Sequence, residues 1–265
     1  MSWWGKVVGG AFGFMLGGPL GAVLGVALGH NFDKGLSGLP EDGFGAEDFA
    51  PGDRERVQTA FFTATFAVMG RVAKADGHVT SEEIRLAEQV MLQMDLSEDM
   101  RQTARGLFRQ GKSDDFPLND VVRQFRQECH GRTTLLQMFL EIQLQAAYAD
   151  GSLHSSEDQL LLSICAQLGI SEFEYRRLER MIRAEAHGNA AGTSGPSLSD
   201  AYAVLGVEAN TSDADVKKAY RRLLSQHHPD KLVSKGLPEE MMKIASQKTH
   251  EIKQAYDTVK KERGI

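Results

Sequence analysis

Three groups of residues in this 265-residue chain have types and spacings that could do chemistry. The first is the tripeptide His228-Pro229-Asp230, which follows a segment carrying Lys217, Lys218, Arg221 and Arg222. On a helix these four cations form one ridge, suited to meeting an acidic protein face and fixing its register. Pro229 stiffens the turn that presents the imidazole and the carboxyl on either side of it. The second group is a pair of acidic turns, Asp76 with Glu83 and Asp150 with Glu157. The third is the two cysteines, Cys129 and Cys165, both in apolar helical surroundings, which read as buried thiols in a reducing compartment. No nucleophile–base pair, phosphate-binding glycine loop or zinc signature accompanies any of them, so an independent enzyme is disfavoured and no cofactor is expected.

The acidic turns belong to an internal repeat. Residues 73–84 read AKADGHVTSEEI and residues 147–158 read AYADGSLHSSED. In each, an Asp-Gly turn closes one helix, an apolar residue (Val79 or Leu153) tucks inward, and Thr80 or Ser155 caps the next helix. The spacing also matches the back half of a calcium-binding loop. Its first and third ligand positions, however, fall on Val72 and Lys74, or on Ala146 and Tyr148, and calcium takes about six to eight oxygens. Two readings stay open: capped interhelical turns, or a weak metal site shared by Asp76, Glu83, Asp150 and Glu157.

The elements that must position these groups are helical throughout. Phe61, Phe62, Thr65, Met69 and Val72 keep helical spacing, and Leu135, Met138, Phe139, Ile142 and Tyr148 predict a second long apolar helix. Shorter helices fit 80–94, 97–109, 117–129, 155–168 and 171–186, with Ser97 and Ser171 as N-caps. After residue 199 a short helix stops at Gly206. A second runs from Ala214 to His227, where Pro229 ends it. A third starts near Pro238 and bears Met242, Ala245, Ile252, Ala255, Tyr256 and Val259 as its stripe. The last two should pack as an antiparallel hairpin.

The N-terminus differs in kind. From Val7 to Gly29, 23 residues carry no charge, enough to cross ~30 Å of hydrocarbon, with Trp3 and Trp4 at the leading edge. Glycines recur every fourth residue, and Gly9, Gly13, Gly17, Gly21 and Gly25 would line one groove for a second copy of the span. An uncleaved transmembrane helix accounts for the length and flanks best; a signal peptide or a surface-lying segment are the other readings. Lys6 and Lys34 flank it almost symmetrically, so charge does not orient it.

The organisation that follows is a flank at 1–6, a transmembrane helix at 7–29, a tether at 30–52, an all-helical domain at 53–186, a linker at 187–199 and a C-terminal module at 200–265. The net charge of −6 and pI near 5.8 exclude a general nucleic-acid binder. Residues 200–265 hold 12 Lys/Arg against 10 Asp/Glu, and residues 1–199 hold 18 against 26, so a mildly basic module hangs on an acidic body.

His228-Pro229-Asp230, set after Tyr220-Arg221-Arg222-Leu223 and before Ile252-x-x-Ala255-Tyr256-x-x-Val259, resembles the J-domain family of DnaJ-type co-chaperones across residues 200–265. The paired Ala-Asp-Gly turns within an all-α domain resemble the TerB-like, tellurite-resistance family. With the glycine-striped span, the whole chain is similar to membrane-anchored DnaJ-like co-chaperones of Gram-negative bacteria. The resemblance implies an all-α protein whose His228, Pro229, Asp230 and basic ridge contact a DnaK-type chaperone and stimulate its ATP hydrolysis. His228 is then a contact residue, not a general base, since it would bias the partner's state while the catalytic groups lie elsewhere. The resemblance further implies a homodimer formed through the span, a short periplasmic N-terminus and a cytoplasmic bulk. The rival is a metal- or stress-sensing membrane scaffold built on the acidic turns.

Overall fold

The computed structural model describes residues 17–32, 52–75, 77, 81–94, 96–148, 151–190 and 197–264, and among these the chain is helical with no strand. The first helices are α1 (Gly18–Phe32), α2 (Asp53–Ala73), α3 (Ser81–Gln93), α4 (Glu98–Gly111), α5 (Leu118–Glu128) and α6 (Thr133–Ala147). They continue with α7 (Ser155–Leu168), α8 (Glu172–Ala190), α9 (Leu198–Leu205), α10 (Asp213–Gln226), α11 (Pro229–Ser234) and α12 (Met242–Arg263).

Residues 57–70 contain no charge, and a helix without a polar face must be enclosed on all sides. Every residue of α2 from Val57 to Gly70 is accordingly buried. Phe61 meets Phe125 of α5 edge-on at 5.9 Å between ring centroids and Phe139 of α6 at 6.5 Å, while Phe125 and Phe139 lie 4.7 Å apart. Such aromatic contacts add about 0.5–1.5 kcal/mol beyond the area they bury. Arg56 grips Glu128 with two nitrogens at 2.8 and 3.4 Å, fastening the first turn of α2 to the end of α5.

The tightest contact is the crossing of α2 and α4. A β-carbon on Gly70 would lie 2.0 Å from the Phe108 carbonyl oxygen, and one on Gly111 would lie 1.8 Å from that of Ala67. Two glycines, one from each helix, therefore let the backbones touch.

The internal repeat is one turn geometry used twice. α2 and α6 end at Ala73 and Ala147, followed by Lys74 and Tyr148 in nearly the same conformation (φ −95°, ψ 6° and φ −87°, ψ 8°). The amides of Gly77 and Gly151 then donate to the carbonyls of Lys74 and Tyr148 at 3.0 and 2.9 Å. Both glycines need a positive φ, 91° and 94°, which side chains resist. The second cap differs from expectation: His154, not Ser155, is the N-cap of α7, and the Glu157 carboxyl accepts the His154 amide at 3.0 Å. Ser97 and Ser171 cap as read, accepting the amides of Met100 and Glu174 at 3.4 and 3.2 Å.

Three expectations change. First, the described helix of the N-terminal segment ends later than expected, residues 7–16 lying outside the described residues. Gly17 and Gly18 have φ of 56° and 58°, and α1 runs from there to Phe32, beyond the expected end at residue 29. At 15 residues it is short for a span, and no described helix is long and apolar enough to cross a membrane. Gly9 and Gly13 lie outside the described residues; Gly21 is buried and Gly25 half-buried on α1. Second, α8 carries helix to Ala190, into the expected linker, passing through Gly188 and Asn189. Third, the last module does not merely follow a linker: it packs on the body along α8 and the starts of α2 and α6.

Gly70→Ala should destabilise the full chain by about 2 kcal/mol, because the added methyl forces α2 and α4 apart, although alanine favours a helix interior by about 1 kcal/mol. Denaturant unfolding measures this, and an unchanged or raised midpoint would contradict the close crossing.

Candidate functional site

The C-terminal module is assembled from well-capped short helices. Ser197 accepts the Asp200 amide at 3.2 Å to start α9, and Gly206, at φ 64°, stops it. Ser212 likewise accepts the Asp215 amide at 3.2 Å to start α10. Tyr220 of α10 and Tyr256 of α12 stack with ring centroids 4.0 Å apart, holding the hairpin in register. Its closing clasp is Arg263, which donates to the Tyr202 hydroxyl, the Thr211 carbonyl, the Asp213 carboxylate and the Ala209 carbonyl at 2.7–2.8 Å. One guanidinium so ties the last turn of α12 to the segment joining α9 and α10.

His228-Pro229-Asp230 is not a simple loop. Pro229 is the first residue of α11, a place its fixed φ and missing N–H suit, and the His228 carbonyl accepts the Leu232 amide at 3.0 Å. The expected third helix starts later than Pro238, which instead precedes a 3₁₀ turn (Glu239–Met241) leading into α12. The anchor lies one residue earlier: the His227 carbonyl accepts from the Thr249 hydroxyl of α12 at 3.0 Å. Lys231 donates to the Ser225 hydroxyl at 2.7 Å, bracing the turn from the other side. Held this way, His228 and Asp230 are exposed and Pro229 is half-buried. Lys217, Lys218, Arg221 and Arg222 are all exposed on the α10 face leading up to them. The structure therefore leaves His228, Asp230 and the four cations of the ridge exposed, with Arg222 near enough to Arg177 of α8 for their charges to interact.

The opposite side of the same segment is clamped to the body. Arg132 donates to the Lys235 carbonyl at 2.8 Å, and the Lys235 ammonium donates to the Thr134 hydroxyl at 3.0 Å. Gly236, at φ 103°, lies so close to Val57 that a β-carbon would sit 2.6 Å from its methyl. Arg54 pairs with Glu239 at 3.3 Å at the rim. At the centre, His227 (5 % exposed) places Nδ1 3.6 Å from the carboxyl of Glu141 (3 % exposed). Lys248 of α12, 2 % exposed, lies 3.8 Å from Glu251. Burial holds the His227 imidazole below its ordinary pKa; Glu141 opposes that, and the charges of Lys248 and Arg177 add to it.

Of the acidic-turn candidates, Asp76, Asp150 and the Glu83 side chain lie outside the described residues. Glu157 is 4 % exposed and spends its carboxyl on the start of α7, which does not fit a metal ligand. Among the described residues no group of three His, Cys, Asp or Glu side chains gathers to hold an ion. Cys129 and Cys165 are both buried, and burial pushes each thiol up to about 12.

His227, Glu141, Lys248 and Arg263 did not stand out in the sequence. Two of them left a signal. Glu141 is the only charge in TTLLQMFLEIQLQAA, and Lys248 sits on the apolar stripe of α12. A lone charge at a buried position demands a partner.

Comparison with known proteins divides the chain in the same places. The tellurite resistance protein TerB family model matches residues 62–180, the DnaJ domain residues 200–264, and the co-chaperone DjlA transmembrane domain residues 1–39. The co-chaperone protein DjlA of Photobacterium profundum is 48% identical over 276 residues, spanning 99% of both chains. Those of Escherichia coli K12 and Coxiella burnetii are each 44% identical, over 278 and 272 residues, spanning all of both chains. No solved structure matches.

Because His227 is held neutral in the folded chain, the unfolded chain binds the extra proton first. Its contribution is complete above its ordinary value of 6.5 and declines as the pH falls through and below it. The protection factors of α11 and the start of α12, taken relative to the intrinsic exchange rate at each pH, should therefore fall between pH 7.5 and 5.5. His227→Gln should flatten that dependence; an identical slope in the variant would contradict the buried-imidazole account.

Proposed function

The chain belongs to the DjlA family of co-chaperones, and on that premise we propose that it recruits a DnaK-type chaperone at the bacterial inner membrane and stimulates its ATP hydrolysis. The observation that carries this reading is the joint exposure of His228, Asp230 and the ridge Lys217, Lys218, Arg221 and Arg222 on one module. The ridge steers an acidic partner surface and sets its register. The tripeptide then stabilises the partner conformation that hydrolyses ATP. Such differential binding accelerates a reaction without any catalytic group on this chain.

The N-terminal segment anchors this activity to the bilayer, with a short periplasmic N-terminus and the helical body and J-domain in the cytoplasm. The location of a DnaK-type partner supports that orientation, since the flanking lysines do not decide it. In the inserted state Gly9, Gly13, Gly17, Gly21 and Gly25 form a close-approach stripe that pairs two copies.

Steady-state ATP hydrolysis by a DnaK-type chaperone, with the full chain in nanodiscs, tests the proposal. The wild-type chain should stimulate turnover and His228→Gln should remove most of that stimulation. Arg221→Ala with Arg222→Ala should raise the half-maximal concentration and weaken its salt dependence. Equal stimulation by wild type and His228→Gln would overturn the proposal.

A further inference from the structure

α1 is an uncharged helix lying on the surface of the TerB-like body. It rests against α4, α5 and α2, and Leu20, Val23, Leu24 and Ala27 are 0–6 % exposed there, while Ala22 and Val26 face outward. The body holds it in two ways. Gln124 of α5 accepts the Leu20 amide at 2.9 Å and donates to the Gly17 carbonyl at 3.0 Å, gripping the backbone of the first turn. Further along, Gly106 of α4 lies flush with Ala27: a β-carbon there would sit 3.2 Å from both the Ala27 β-carbon and its carbonyl oxygen. The first contact reads only a helix start, and the second only a small residue. Neither reads a particular sequence, and nothing charged from α1 takes part.

Residues 20–27 also lie within the uncharged segment Val7–Gly29 that anchors the chain. They cannot fill this groove and cross a bilayer at the same time, so insertion empties it. We propose that the groove between α4, α5 and α2 is a binding site for one uncharged, small-residue-rich helix, the transmembrane-type segment of a client protein, and that α1 is its built-in plug. The inference rests on the membrane-anchor reading above. It places the polypeptide-binding site on the same helical body that the J-domain packs against, and couples its opening to membrane insertion. Amphipathic or charged helices would leave polar groups unpaired against the apolar wall, which makes the site selective for membrane-type segments.

The test uses the full chain in nanodiscs and reads disulfides, since partition of an apolar peptide into lipid cannot form a specific one. Cys129 and Cys165 are buried and stay silent. Ala27→Cys with Gly106→Cys reports the plug; Gly106→Cys alone, mixed with a peptide of residues 17–32 carrying Ala27→Cys, reports the groove. The proposal expects little internal cross-link, saturable cross-linking of the peptide, and about a tenfold loss when Gln124→Leu removes the two backbone bonds. A peptide also carrying Leu20→Arg should not cross-link. Complete internal cross-linking in a chain that floats with lipid overturns the proposal alone, as does an open groove that captures no peptide. Failure of the chain to float overturns the anchor reading and the proposal together.

Discussion

α2 has almost no solvent face, and the rest of the molecule is arranged to satisfy that. Fourteen successive positions, Val57 to Gly70, need neighbours on every side. α4 supplies one by backbone contact at Gly70 and Gly111, and α5 and α6 supply others through the Phe61, Phe125 and Phe139 cluster. The remaining approaches are met from outside the TerB-like domain. α1 comes in beside α4 and α5, and the Gly236-Leu237 turn of the J-domain covers Val57, with Gln58 reaching the Leu237 carbonyl at 3.5 Å. Enclosing one helix thus brings the membrane-proximal segment and the J-domain onto a common body.

That geometry bears on how a J-domain can act while attached. The segment between α10 and α12 has two sides. Its inner side carries the His227–Glu141 contact, the Arg132 bond and Gly236, while His228 and Asp230 are exposed, as are the four cations of α10. Docking therefore leaves His228, Asp230 and the four cations exposed and removes the orientational freedom of a tethered module. A partner that meets the ridge meets a body of fixed orientation, which lowers the entropic cost of any second contact made by that body.

Much of this was legible in the residues. The helical periods and the caps at Ser97 and Ser171 are local patterns, and local patterns survive folding. The seam was not legible, because it joins residues about 80–180 positions apart through groups that look ordinary in isolation: a histidine at a helix end, a glutamate in an apolar helix, a glycine in a turn. The span was read as one helix from its lack of charge, a rule that treats the bilayer as the only apolar partner. Here the body offers a second apolar partner, against which Leu20, Val23, Leu24 and Ala27 are buried.

The central claim is that the J-domain and the TerB-like body form one unit while the tripeptide faces outward. The most direct measurement is a pulsed electron–electron distance between spin labels at Gln127→Cys on α5 and Lys253→Cys on α12, both exposed positions. The label will spare Cys129 and Cys165, whose thiols burial pushes up to about 12. The account predicts one narrow distance, unchanged when a DnaK-type chaperone with ATP is added. A broad distribution in the free chain, or a shift to longer distances on adding the chaperone, would contradict it.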